Sequence, residues 1–229
     1  MYTGEMATPF TKLSSRTLRD QISEKIREAI LGGSLAPGER LVERRLSDQF
    51  GASLTAVREA LICLEADGFV VKKPNSSTYV TEYSFKEVEK AFEFRRMLEG
   101  YAIEEAIRLA TPEQIKTVES SYMDMVDAAG RGDHNLFLQK DYDWHEVIWR
   151  LADNEYLLAA LKRLILPLFA FSAIRIHSGR PLDLLADAYR HHSMLEALRT
   201  KNLQAGRNAL NHAIDEWLMV LRAWEMNNR

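Results

Sequence analysis

The first 80 residues carry three short apolar stripes at helical spacing, each cut off by glycine, followed by a run that alternates like a strand. Leu18, Ile22, Ile26, Ala29 and Ile30 form the first stripe, which ends at Gly32-Gly33. Leu35-Ala-Pro-Gly-Glu is a turn, with Pro37 and Gly38 as breakers. A short helix is predicted over Glu43–Phe50, burying Leu46 and Phe50. Gly51-Ala52-Ser53 makes a tight corner, after which Val57, Ala60, Leu61 and Leu64 repeat on one face as far as Gly68. From Phe69 to Thr81 the pattern predicts two short strands around a polar tip at Asn75-Ser76-Ser77. Helix, helix–turn–helix, hairpin is the order of a winged helix-turn-helix, here spanning residues 10–81 with a small β-hairpin wing. The polar, aperiodic residues 1–12 predict a mobile tail.

Beyond that point the chain reads as helical throughout, so the whole is mainly α. Ser84-x-x-Glu87 is a capping box, and Thr111-Pro112-Glu113-Gln114 supplies a second one with a proline in its first turn. Gly130-Arg-Gly-Asp133, Asn154, Gly179-Arg-Pro181 and Lys201-Asn202 punctuate the rest. The spacing predicts six helices, over 84–110, 112–129, 133–152, 155–177, 182–200 and 203–227. Short connections make neighbours antiparallel, which predicts an all-α bundle over residues 82–229.

Composition excludes several classes. No apolar run approaches the length of about 18 residues that a membrane span needs, and the start Met1-Tyr-Thr-Gly-Glu is too polar for a signal peptide. A single cysteine, Cys63, precludes an internal disulfide; it lies off its helix's apolar stripe and fits a reducing cytoplasm. Net charge is −3, and the first 80 residues hold 11 Lys and Arg against 10 Asp and Glu. A DNA-binding head this near neutrality must rely on where its charges sit.

The text Ile30-Leu-Gly-Gly-Ser-Leu-Ala-Pro-Gly-Glu-Arg-Leu41, Glu43-Arg-Arg-Leu-Ser47, Ser53-Leu-Thr-Ala-Val-Arg-Glu-Ala-Leu61 and Leu64-Glu-Ala-Asp-Gly68 resembles the head of the GntR family of bacterial transcription regulators. The resemblance covers residues 18–82 and implies double-stranded DNA as partner. Ser53 is placed to cap the recognition helix, with Thr55 and Arg58 near the end that enters the major groove. Arg58 suits bidentate bonding to guanine, and Arg44 a base edge or a phosphate. Lys72 and Lys73, entering the wing, suit phosphates. Outside such a pattern these would be read as solvated surface charges. The family usually has Arg and Pro where this chain has Leu54 and Ala56, and a glycine near the wing tip, which puts the family's usual operator sequence, though not DNA binding, in question.

Asp141 and His145 stand at i and i+4, so a helix sends both side chains from one face. His191 and His212 lie on later amphipathic segments that a bundle can bring opposite them. One carboxylate and three imidazoles suit a borderline divalent ion such as Zn²⁺ or Ni²⁺. Each element is weak alone, since Asp-x-x-x-His is usually a surface pair or a satisfied core histidine. The marks Glu93-Phe-Arg95-x-x-Leu-Glu99, Asp141-x-x-Trp-His145, His191-x-x-Met-Leu-Glu-Ala197 and Ala209-Leu-Asn-His212 resemble the ligand-sensing FCD domain of the FadR branch, over about residues 84–225. That resemblance implies Asp141, His145, His191 and His212 as ligands of one metal ion, and six helices favour the VanR-like subgroup. It also implies Arg95 as partner of an acidic effector; the alternative is a buried ion pair with Glu99. Arg175 is a second effector candidate. His134 and His177 match nothing in the pattern, and Trp144, Trp149, Phe169 and Phe171 read as core.

Together these readings predict a one-component regulator, not an enzyme, that binds a palindromic operator as a homodimer and senses a small organic acid at the metal. Most proteins of this kind are repressors. One rival makes the ion itself the signal. Another is a metallohydrolase with an accessory winged helix, for which no spare Glu or Asp is identifiable near the ligands.

Overall fold

The computed structural model describes residues 17–73, 77–177 and 183–227, with the side chains of 166, 170–177, 224, 225 and 227 left aside. The expected tail and the wing tip at Asn75-Ser76 lie outside the described residues.

Helix α1 (Leu18–Leu31) opens on a Thr17/Asp20 capping box and buries Ile22, Ile26 and Ile30. A two-residue strand β1 (Arg40–Leu41) leads into α2 (Glu43–Phe50), which ends where Gly51 turns left-handed at φ 59°. Ser53 caps α3 (Leu54–Ala66), its Oγ accepting from the Ala56 N–H. Strands β2 (Val70–Lys73) and β3 (Ser77–Val80) form the wing. The sheet is three-stranded and antiparallel in the order β1-β3-β2, with Arg40 opposite Tyr79 and Val71 opposite Tyr79 from the other side. The extra strand beyond the expected hairpin is two residues long, too short to show alternation. The apolar faces of α1, α2 and α3 close on Leu41, Phe69, Val70 and Val80 in one small core. Leu46 is buried as expected, whereas Phe50 packs against this core only in part.

The second core belongs to seven helical elements. They are α4 (Phe85–Leu109), α5 (Pro112–Gly130), α6 (His134–Leu151), α7 (Glu155–His177), α8 (Leu184–Arg190), α9 (His192–Arg199) and α10 (Leu203–Asn227). Side-chain caps from Ser84, Thr111, Asp133 and Asn154 open the first four. Pairs Glu89–Arg222, Arg96–Asp215 and Glu104–Arg207 run in opposite senses, so α4 and α10 are antiparallel.

The segment expected as one helix over 182–200 turns at His191 and continues as α9. The His191 N–H bonds the Ala188 carbonyl, three residues back, while its own Nδ1 takes the Asp187 carbonyl at 3.1 Å. The side chain thus claims the acceptor that an unbroken α-helix gives to the backbone.

Head and bundle touch through α1 and α7. Gly68 holds φ +79°, and a Cβ there would come within 2.6 Å of Pro167 Cγ on α7. Only glycine satisfies both the left-handed backbone and that approach.

Candidate metal centre and DNA-contacting face

Asp141 and His145 point inward from α6, and His191 from the turn between α8 and α9; all three are buried. Their donor atoms converge. His191 Nε2 lies 3.1 Å from Asp141 Oδ1 and 3.2 Å from His145 Nε2, and His145 Nε2 is 3.7 Å from Asp141 Oδ1. Each ring is turned this way by its other nitrogen: His145 Nδ1–H donates to Glu99 Oε1 at 3.1 Å, and His191 Nδ1–H to the Asp187 carbonyl. Both Nε2 atoms therefore face each other and an anionic oxygen in a buried site, an arrangement that needs positive charge at its centre.

A proton on one ring is one source of that charge. Burial pushes His191 down, but the Asp141 carboxylate bonded to Nε2 outweighs it, and the pKa is raised. Burial lowers His145, with Glu99 opposing and Arg95 assisting, and the net is a lowered pKa. The two rings are thus pushed in opposite directions, His191 toward holding a proton and His145 toward losing one. Burial raises Asp141, yet His191, His145 and Arg95 together hold it below the ordinary range.

The same atoms fit a divalent ion. A circle through three donors at these separations has a radius of about 1.9 Å, against about 2.0–2.1 Å for imidazole and carboxylate bonds to Zn²⁺. Asp141, His145 and His191 form a group that can hold a metal.

Glu99 braces the site from α4. It accepts from Arg95 Nε at 2.5 Å and Trp149 Nε1 at 3.0 Å as well as from His145. Burial opposes its ionisation, but Arg95 and His145 prevail and hold its carboxyl at about 2. Arg95 therefore occupies both expected roles. Its Nε is committed to Glu99, while Nη2 lies 3.3 Å from His145 Nε2 on the cavity side. Arg95 and the three donors share a small cavity of about 20 Å³, lined also by Phe169 from α7 and Trp217 from α10. That is space for a water-sized body.

His212, expected as the fourth ligand, does not meet the other three here. Its side chain is 74% exposed, with Nε2 3.5 Å from Glu216. The apolar stripe of α10 sets the rotation: Leu210 and Ile214 are buried against the bundle, and His212 lies two residues, about 200°, from each. Leu210, Ala213, Ile214 and Trp217 meet the cavity instead. Arg175 lies on α7 with its side chain outside those described, as do His177 and Phe171. His134 stands half-buried at the start of α6, away from the cavity.

Asp187 was missed. It lines the same cavity, buried and paired with Arg190, and burial together with the Asp141 charge raises its pKa. Asp187-x-x-x-His191 repeats the spacing of Asp141-x-x-x-His145, and that repetition was the available signal. The premise that no spare carboxylate lies near the ligands therefore fails.

On the head, Thr55 and Arg58 are exposed along the first turns of α3, beside the capping Ser53 and exposed Leu54. Arg58 Nε holds Glu43 Oε2 at 2.6 Å, fastening α3 to the start of α2, where Arg44 is also exposed. Lys72 and Lys73 are exposed on β2, with Lys73 Nζ 4.6 Å from the centre of the Tyr79 ring.

A winged head joined to a helical domain with a small cavity lined by charged side chains is the build of a DNA-binding regulator. The GntR regulatory-protein family matches over residues 18–80, and the FCD domain over residues 90–216. The chain belongs to the GntR family of bacterial regulators, in the FadR branch with an FCD domain. It is 29% identical over 210 residues to a probable D-xylose utilization operon repressor of Paenarthrobacter nicotinovorans, covering 90% of each chain. It is 25% identical over 214 residues to the regulator YdhC of Bacillus subtilis, covering 90% of this chain and 94% of that one. The solved McbR structure of Escherichia coli superposes with a TM-score of 0.80 at 21% identity, over 92% of this chain and all of that one. These relatives are transcription regulators, not enzymes. Among the described residues no helix is long and apolar enough to cross a membrane.

Proposed function

We propose that this regulator is a repressor that binds a palindromic operator as a homodimer. A small carboxylate metabolite reaching a divalent ion on Asp141, His145 and His191 releases it. The observation that carries the reading is the meeting of those three donors with Arg95 in one small cavity. When bound, the ion supplies a positive anchor with positions left open for a carboxylate. Arg95 contributes the second grip, since Nη2 faces the cavity while Nε stays fixed by Glu99. Relatives named as repressors support the direction of control.

The cavity is too small for an organic acid, so binding requires a wall to move. Helix α7 carries Phe169 in that wall and, two residues earlier, Pro167 against Gly68 of the head. A shift of α7 therefore reaches the head directly. An effector that prefers one arrangement about a hundredfold biases the equilibrium by about 2.7 kcal/mol. Phe94, Met97 and Tyr101 form an exposed stripe on α4, which supports a two-fold dimer presenting two heads to neighbouring major-groove turns. Six rods, with α8 and α9 counted as one turned segment, support the VanR-like subgroup.

Thermal unfolding of metal-loaded and chelator-stripped protein against a panel of small organic acids tests this. An acid that raises the midpoint of the loaded form alone supports the ion as its anchor. If metal alone raises the midpoint and no acid adds to it, the ion is structural or is itself the signal, and the carboxylate reading fails.

A further inference from the structure

The outward face of α4 is apolar in its middle and charged at both ends. Phe94, Met97 and Tyr101 are 50%, 70% and 46% exposed there, with Leu98 half-buried beside them. Glu87 and Lys90 precede this patch, and Glu105 and Arg108 follow it on the same side of the helix. The face is symmetric in spacing and antisymmetric in charge. From Glu87 the steps are 3, 4 and 3 residues to Met97, and back from Arg108 they are 3, 4 and 3 to Leu98. Where one end carries an anion, the other carries a cation.

A surface that matches itself on reversal is what a two-fold contact requires, because each patch must fit its own copy. Two antiparallel α4 helices with the axis between Met97 and Leu98 set Phe94 against Tyr101 of the second copy. The same placement sets Lys90 against Glu105 and Glu87 against Arg108. Sliding one helix by three residues destroys the match, since Lys90 then meets Arg108 in one sense and Glu87 meets Glu105 in the other. Glu105 already holds Arg108 of its own helix, so the contact joins these pairs into one network. The apolar middle supplies affinity, and the charges fix the register.

We infer that α4 packs antiparallel against α4 of a second copy in this register. The inference rests on the homodimer proposed above and adds its contact face and its pairing. Only residues 81–84 separate the wing strand β3 from α4, so the two heads join opposite ends of the helix pair. The two Phe85 positions then stand about 37 Å apart along the helices. Half-sites one turn of DNA apart are separated by about 34–36 Å.

Sedimentation velocity of the full-length protein over a dilution series at low salt measures the association. The parent should be a dimer. Lys90→Glu and Glu105→Lys should each weaken it at least about tenfold, because the two-fold repeats every like-charge pair. The double variant, with the charges exchanged, should return to within about threefold of the parent. Met97→Glu brings two like charges close to the axis and should leave a monomer. Lys90 and Met97 are exposed, so their variants keep the fold, which far-UV circular dichroism checks. A monomeric parent overturns the homodimer reading together with this one. A dimeric parent whose association ignores all three single substitutions overturns the α4 face alone. Weakening by both charge variants that the double does not repair overturns the register.

Discussion

Glu99→Gln isolates the charge that braces the candidate metal centre, because glutamine keeps the shape of the side chain and loses its anion. In the folded chain the carboxyl titrates at about 2, against 4.5 for the free side chain. That difference favours the ionised folded form by about 3 kcal/mol. The geometry gives the same scale by another route. Arg95 is buried and pairs with Glu99, and removing one partner of such a pair costs about 3–5 kcal/mol. A carboxyl whose pKa is depressed on folding stabilises fully above its unfolded value, and that contribution fades as pH falls toward the folded one. The variant should therefore be about 3 kcal/mol less stable than the parent at pH 7. The gap should shrink by more than half by about pH 3, since protonation then removes the same charge from the parent. Urea unfolding in chelator, followed by tryptophan fluorescence, measures it. All four tryptophans, at 144, 149, 217 and 224, lie in the helical domain, so the signal reports on the right core. A loss under about 1 kcal/mol at pH 7, or a gap that persists undiminished at pH 3, would refute the reasoning.

Other consequences are as sharp. His191→Ala should lower Zn²⁺ affinity by more than about a hundredfold in calorimetry while His212→Ala leaves it unchanged; equal losses would restore His212 as a ligand. Since the raised pKa of His191 means a proton must leave Nε2, Zn²⁺ affinity should climb with pH until that proton is gone, by up to about tenfold per pH unit. A flat profile counts against the shared position. Gly68→Ala forces a Cβ onto Pro167 at a left-handed backbone and should cost at least about 1–2 kcal/mol in denaturant unfolding. Arg58→Ala should weaken operator binding by about 1–3 kcal/mol in fluorescence anisotropy and relax sequence preference, whereas Lys73→Ala should weaken all DNA alike.

Local signals made much of this protein legible without coordinates. Capping boxes at Ser84 and Thr111, the cap at Ser53, the glycine stops and the stripe Val57, Ala60, Leu61 and Leu64 act over a few residues. They set helices and their inner faces before any long-range contact forms. The pair Asp141 and His145 was visible for the same reason, since one helical turn fixes it. The resemblance to a known family carried the step from helices to regulator, because chemistry across segments leaves no periodic trace.

Tertiary packing decided the rest. Strand β1 exists only because β3 lies beside it, and no alternation shows in two residues. His191 breaks its own helix by taking a carbonyl, a competition between side chain and backbone that spacing does not reveal. His212 shares its segment with a stronger apolar stripe, and burial of Leu210, Ile214 and Leu221 turned it to solvent. Glu99 and Asp187 became part of the centre through contacts with residues about 50 positions away. The order of helices and their caps was written locally, but which polar groups share one cavity depended on how those helices rotated as their apolar faces were buried.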